Sequence, residues 1–181
     1  FALGTHTVTL TVTDNGGLTG QDTVIISVVT PPPPIEVFSD SFEMSEWNGL
    51  WTEDAQNDWD RLTQRATNGI YSAEIDGYTN NGTLTSIPIN LQGRTSATIT
   101  FSWLIENSVD AGEYLAFDVS TNGGATWIEQ ARLKGDISPE HVWHNATFDL
   151  NAISALRLRF RGKMSASNED ANVDMVRVVG W

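Results

Sequence analysis

The chain has 181 residues, 40% of them hydrophobic, and a formal net charge of −13. That apolar share is enough for a packed core and excludes general disorder. The acidic balance excludes nucleic acid as a partner, because Lys and Arg are too few to neutralise phosphates. With no cysteine in the chain, disulfides, thiolate metal sites and cysteine nucleophiles are excluded as well.

No apolar run reaches the length of a membrane span, so membrane insertion is not expected. No secretory leader is visible and the pattern is under way at Phe1, so the sequence reads as a piece of a longer protein. The first 30 residues carry only Asp14 and Asp22, and all ten basic residues lie after Ile35. Acidity also offers carboxylates to hard cations such as calcium.

In chain order, Gly4–Thr13 alternates: Val8, Leu10 and Val12 point one way, and Thr7, Thr9, Thr11 and Thr13 the other. This predicts a half-buried strand. Asp14-Asn15-Gly16-Gly17 is a turn, since Asn and Gly take positive φ at little cost. Thr23–Val29 supplies a second strand. The run from Gly4 to Val28 resembles the C-terminal part of a PKD domain, a small immunoglobulin-like sandwich used as an extracellular spacer. The resemblance implies that further strands complete it, either upstream or from another chain. In the second case the two strands would be a device for self-assembly by strand addition.

Pro31-Pro32-Pro33-Pro34 predicts a stiff polyproline II linker over residues 30–34, separating residues 1–29 from a main domain at 35–181. There Ile35–Phe42 begins a strand and Asp40-Ser41-Phe42-Glu43 turns. Trp47, Trp51 and Trp59 sit in an acidic stretch that reads as a loop. Ser72–Asp76 and Thr83–Leu91 read as strands joined by a hairpin-type turn at Thr79-Asn80-Asn81-Gly82. Ala97–Ile105 is the clearest strand, followed by Glu113–Ser120, Trp127–Leu133, Trp143–Leu150, Ala155–Gly162 and Val173–Val179. Many short strands between frequent turns predict an all-β fold, a β-sandwich.

Ser120-Thr121-Asn122-Gly123-Gly124-Ala125-Thr126-Trp127 resembles an Asp-box hairpin, S-x-D-x-G-x-T-W, with Asn122 in place of the aspartate. The resemblance implies a structural turn with Trp127 packed beneath it. A single copy argues against a propeller. From Phe38 to Trp181 the chain resembles MAM-like and carbohydrate-binding-module-like jelly rolls of secreted bacterial proteins. The carriers are Ser39–Glu43, Thr98–Trp103, Val119–Trp127 and Asn168–Val178. The resemblance implies a structural calcium between the first loop and the last strand.

Three groups are site candidates. Asp174 shares parity with Val176 and Val178, so it is expected to point with the core, where a lone carboxylate needs a cation or a partner. Asp40, Glu43 and Asp76 are the other candidate calcium ligands; the alternative pairs Asp174 with an arginine such as Arg177. Trp47, Trp51, Trp59 and Trp143 are candidate exposed rings that stack on sugars, or else they cap the open ends of the sandwich. Arg157, Arg159 and Arg161 alternate on one strand face, able to grip carboxylates or sulfates of an acidic polysaccharide; alternatively they form an outer face balanced by acids.

His141 and His144 find no third metal ligand, and no H-E-x-x-H, G-x-S-x-G or phosphate-loop motif occurs. The expected function is therefore a non-catalytic extracellular module that binds a polysaccharide or glycan. A structural or adhesive module of a surface protein or fibre is the alternative, and an accessory domain of a secreted protease a further one.

Overall fold

The computed structural model describes residues 1–106 and 108–181. The chain divides into two compact units, Phe1–Pro33 and Pro34–Trp181. The first is a hairpin of β1 (Gly4–Thr13) and β2 (Thr19–Val28), paired antiparallel from Gly4–Val28 to Thr13–Thr19. Asp14 makes its turn: Oδ1 accepts the N–H groups of Gly16 and Leu18, each at 2.8 Å. Val8, Leu10 and Val12, with Val24 opposite Val8, are exposed.

The second unit contains β3 (Ile35–Asp40), β4 (Trp51–Glu53), β5 (Trp59–Leu62), β6 (Ser72–Asp76), β7 (Asn80–Ser86), β8 (Ala97–Ile105), β9 (Tyr114–Ser120), β10 (Ile128–Lys134), β11 (His144–Leu150), β12 (Arg157–Lys163) and β13 (Asp170–Gly180). The strands form two antiparallel sheets. One runs β10-β9-β12-β7-β4. The other runs β11-β8-β13-β6-β5, with β3 also pairing β13. No helix occurs among the described residues. The fold is an all-β sandwich, as its alternating segments demand: period-two strands bury one face each and must pack face to face.

The core lies between the sheets. Ile99, Phe101, Trp103 and Ile105 of β8 face Leu115, Phe117 and Val119 of β9 and Leu158 and Phe160 of β12. The ring of Phe101 is 4.6 Å from that of Phe117 and 5.0 Å from that of Phe160, separations at which aromatic pairs attract beyond their buried area.

Three expectations are corrected. The stretch with Trp51 and Trp59 is not loop: each tryptophan opens a short strand and its ring enters the core. The segment Thr79–Gly82 is not a hairpin turn. Gly77 to Thr79 carry the chain from one sheet to the other, and Asn80 to Gly82 already belong to β7, with Asn81 in the left-handed region at φ 63°. Asp174 does not point with Val176. A β-bulge shifts the register of β13 between Asp174 and Arg177, with Met175 at φ 55°. Val173 and Val176 are thus both core residues, and Asp174 is turned to the outer face beside Ser102. One inserted residue reverses parity, which alternation alone cannot register.

Candidate functional site

The outward side chains of β9, β10 and β12 form a basic face. Of the chain's ten Lys and Arg, six lie on two strands: Arg132 and Lys134 on β10, and Arg157, Arg159, Arg161 and Lys163 on β12. Alternation sends their neighbours Leu133, Leu158 and Phe160 into the core and these side chains outward. The strands sit on either side of β9, whose outward residues include Tyr114 and Asp118.

Asp118 is 1% exposed and organises the face. Arg159 Nε donates to its Oδ2 at 2.8 Å, and Arg161 donates to both of its oxygens. Arg161 also reaches Asn81 Oδ1 at 2.7 Å and Glu129 Oε2 at 2.6 Å. Arg132 and Arg161 hold the Glu129 carboxyl below its ordinary range by hydrogen bonding, against the opposing pull of burial. Arg157 donates twice to the carbonyl of Ser86, at 3.0 and 2.8 Å. Two aromatic rings lie under guanidiniums: Trp127 under Arg159 at 4.3 Å and Tyr114 under Arg132 at 3.8 Å. Beside Tyr114, Arg132 and Lys134 opens a cleft of about 300 Å³.

The hairpin that carries Trp127 is locked by its own polar groups. Ser120 Oγ accepts Gly124 N–H at 2.7 Å, and Asn122 Oδ1 accepts Thr126 N–H at 2.9 Å. Asn122 thus supplies the acceptor oxygen that an aspartate would.

The four candidate tryptophans do not gather. Trp51 and Trp59 are 4% and 1% exposed. Their indole N–H groups donate to Asp40 Oδ2 at 2.9 Å and to the carbonyl of Gly82 at 3.2 Å. Neither presents a ring to a ligand, because each follows the core-facing parity of its strand. Trp47 packs on the core's edge at φ 51°, its Nε1 donating to Glu53 at 3.3 Å. Trp143 is half-buried just before β11. Of the histidines, His141 Nδ1 lies 2.6 Å from Glu106, and His144 Nε2 lies 3.4 Å from the carbonyl of Pro139. Tyr114, Trp127 and Arg132 are the residues that sequence reasoning left out of the site. Their outward parity is readable, but their convergence with β12 depends on the strand order β10-β9-β12.

The candidate calcium ligands divide. Glu43 and Asp174 both bind the segment at residues 67–71, whereas Asp40 binds Phe42 and Trp51. Asp174 Oδ2 accepts Thr67 N–H, Thr67 O–H and Asn68 N–H at 2.8, 2.9 and 3.1 Å. Glu43 Oε1 accepts Ile70 and Tyr71 N–H at 2.9 and 2.8 Å. Asp40 Oδ1 accepts Phe42 N–H at 2.9 Å. The guanidinium of Arg61 bonds the carbonyls of Phe42 and Glu43. Burial raises the Asp40 carboxyl above its ordinary range, and nearby Asp174 adds to that rise. Asp76 is not in this group; it closes the far end of β6, opposite Asp170. Three carboxylates against one guanidinium, with two of the carboxylates buried, leave a negative excess. Hard oxygens suit calcium in type and charge, but Asp40, Glu43 and Asp174 do not bring one oxygen each within 4.8 Å of one another. Elsewhere, Asp110, Glu113 and Glu169 bring carboxylate oxygens within 4.8 Å of one another.

A polar row crosses the outer face of the second sheet: half-buried Asp60, buried Glu74 and buried Asn172 are register partners on β5, β6 and β13, and Asn172 Nδ2 donates to Glu74 Oε2 at 2.8 Å. Burial pushes the Glu74 carboxyl up to about 7. Burial, with the neighbouring Asp76, raises Asp170 to about 6.

In sequence, no family model and no curated protein matches the chain. In structure it is similar to the K3 cleaved adhesin domain of Lys-gingipain from Porphyromonas gingivalis (TM-score 0.59, 19% identity, 81% of this chain and 99% of that one). It is also similar to the CBM22-1 xylan-binding domain of Paenibacillus barcinonensis Xyn10C (TM-score 0.57, 17% identity, 82% and 96%). A third neighbour is a family 61 carbohydrate-binding module in complex with β-1,4-galactotriose (TM-score 0.54, 13% identity, 76% and 92%). At these identities the likeness is one of fold, and the fold of this chain is the jelly-roll β-sandwich of carbohydrate-binding modules and cleaved adhesin domains.

Proposed function

We propose that the chain is a non-catalytic extracellular binding module of a bacterial secreted or surface protein, and that it holds a polysaccharide on the outer face of β10-β9-β12-β7-β4. The observation that carries this reading is the pairing of Trp127 with Arg159 and of Tyr114 with Arg132 on one face. The rings lie beneath the guanidiniums and hold them flat, and the guanidiniums offer fixed hydrogen-bond donors to a sugar laid across the face. The fold likeness to xylan-binding and galactotriose-bound modules supports the choice of ligand.

Affinity electrophoresis through gels containing soluble polysaccharides tests the reading. The chain is expected to be retarded by at least one, and Trp127→Ala to lose at least tenfold in affinity while remaining folded. Retardation by none would favour the second reading, an adhesive module, which the likeness to cleaved adhesin domains supports.

The proposal includes a structural calcium between the first loop and the last strand, with Asp40 and Asp174 as its carboxylates and backbone carbonyls completing the shell, without Glu43 and Asp76. Bound there, the ion would offset the excess carboxylate charge and tie the loop at residues 67–71 to β13. Removing calcium with a chelator is expected to lower Tm, and Asp174→Asn to abolish that dependence. An unchanged Tm on chelation sinks the calcium proposal and leaves the polysaccharide reading standing.

A further inference from the structure

We infer that the polysaccharide is anionic, with carboxylate or sulfate groups on its sugars. This rests on the reading of the basic face as a polysaccharide platform and names the class of ligand it selects. The argument is one of charge placement. The chain carries 23 acidic and ten basic residues. Six of those ten converge on the outward positions of β10 and β12, where the facing acids of β9 and β10 are Asp118 and Glu129. The remaining four (Arg61, Arg65, Arg94 and Arg177) are scattered over the rest of the unit.

Balancing two carboxylates accounts for a minority of these cations. Arg161 is the structural one: 13% exposed, it bonds Asp118, Asn81 and Glu129 together. Arg159 and Arg132 are more open, at 24% and 28%. Each is held by a carboxylate on one edge and by a ring beneath, so its direction is set before any ligand arrives. Lys134, Lys163 and Arg157 add charge with no carboxylate bonded to them among the described residues. The cleft beside Tyr114 adds two acids, Glu113, 5% exposed, and the exposed Asp136, so the six cations of the face still outnumber its four carboxylates.

A cationic face on a chain of net −13 attracts anions locally while the rest repels them. It therefore selects an extended polyanion that can lie along one face over one that would wrap the molecule. Fixed guanidinium forks recognise carboxylate and sulfate oxygens in pairs.

The test titrates the full chain by calorimetry with polygalacturonate, a sulfated galactan, neutral galactan and xylan, at 50 and 500 mM NaCl. At least one of the two anionic polymers is expected to bind at least tenfold more tightly than both neutral ones, with affinity falling as salt rises. Which anionic polymer binds better separates carboxylate from sulfate recognition. Arg159→Gln should lose at least tenfold. Because Arg159 also pairs with buried Asp118, the double variant Lys134→Gln/Lys163→Gln serves as a second probe that leaves Asp118 untouched. Neutral polymers bound as well as anionic ones would overturn the anionic inference and leave the platform intact. Anionic binding that neither variant weakens, or that single-stranded DNA of equal length matches, would overturn it too. Binding to no polysaccharide would bring down both readings.

Discussion

Asp118 is the pivot of the basic face. Buried in β9, it receives two arginines from β12, and the ring stacking of Arg159 depends on that anchor. Replacing one partner of such a pair strands the others in a partly desolvated site. Asp118→Ala is expected to cost about 3 kcal/mol in urea unfolding and to weaken ligand binding beyond that stability loss. Trp51 belongs to the same scale of argument. At 4% exposure, with its indole N–H on Asp40, Trp51→Ala should cost about 3–5 kcal/mol and act through folding, not through a lost sugar platform. Glu74 links residue chemistry to pH. Its carboxyl keeps a proton in the folded chain up to about pH 7, whereas the unfolded chain releases it near the ordinary value of 4.5. Folding therefore takes up a proton in that window, and stability falls as pH rises through it. Asp170, raised to about 6, acts in the same direction. Thermal unfolding should give a higher Tm at pH 5 than at pH 7.5, and Glu74→Gln should flatten that slope. An equally steep slope in the variant would remove Glu74 as its source.

At the scale of elements, the bulge in β13 decides which groups meet. It lets one strand supply Val173 and Val176 to the core, yet turn Asp174 toward residues 67–68. Met175 takes the left-handed conformation there at φ 55°. A side chain pays about 1 kcal/mol or more in that region, so Met175→Gly should raise the urea midpoint while leaving m unchanged. On β12, Gly162 marks where the two sheets come close: a Cβ at that position would meet Ile75 Cδ1 at 2.6 Å. Gly162→Val should destabilise by about 1–3 kcal/mol through overpacking.

For the whole molecule, the sandwich explains how an acidic chain presents a basic surface. Parity sends alternate residues of β9, β10 and β12 outward, and the order β10-β9-β12 lays them side by side. The second unit's strands pair within residues 34–181. A chain of residues 34–181 alone is therefore expected to unfold cooperatively at a Tm within a few degrees of the full chain's, read by circular dichroism. Loss of cooperativity would mean that the first unit contributes to the second's core.

By itself the sequence determined the all-β class, the alternating core faces of β8, β9 and β12, the β9–β10 hairpin and the outward row Arg157, Arg159 and Arg161. Those features are local, set by period-two alternation and by turn residues that tolerate positive φ. Tertiary structure alone decided that Trp51 and Trp59 are core, because three- and four-residue strands are too short to show a period. It alone decided where Asp174 points, because a bulge resets parity without a mark in composition. And it alone brought Tyr114, Trp127 and Arg132 to the arginine row, because which strands lie side by side depends on long-range pairing that no local pattern encodes.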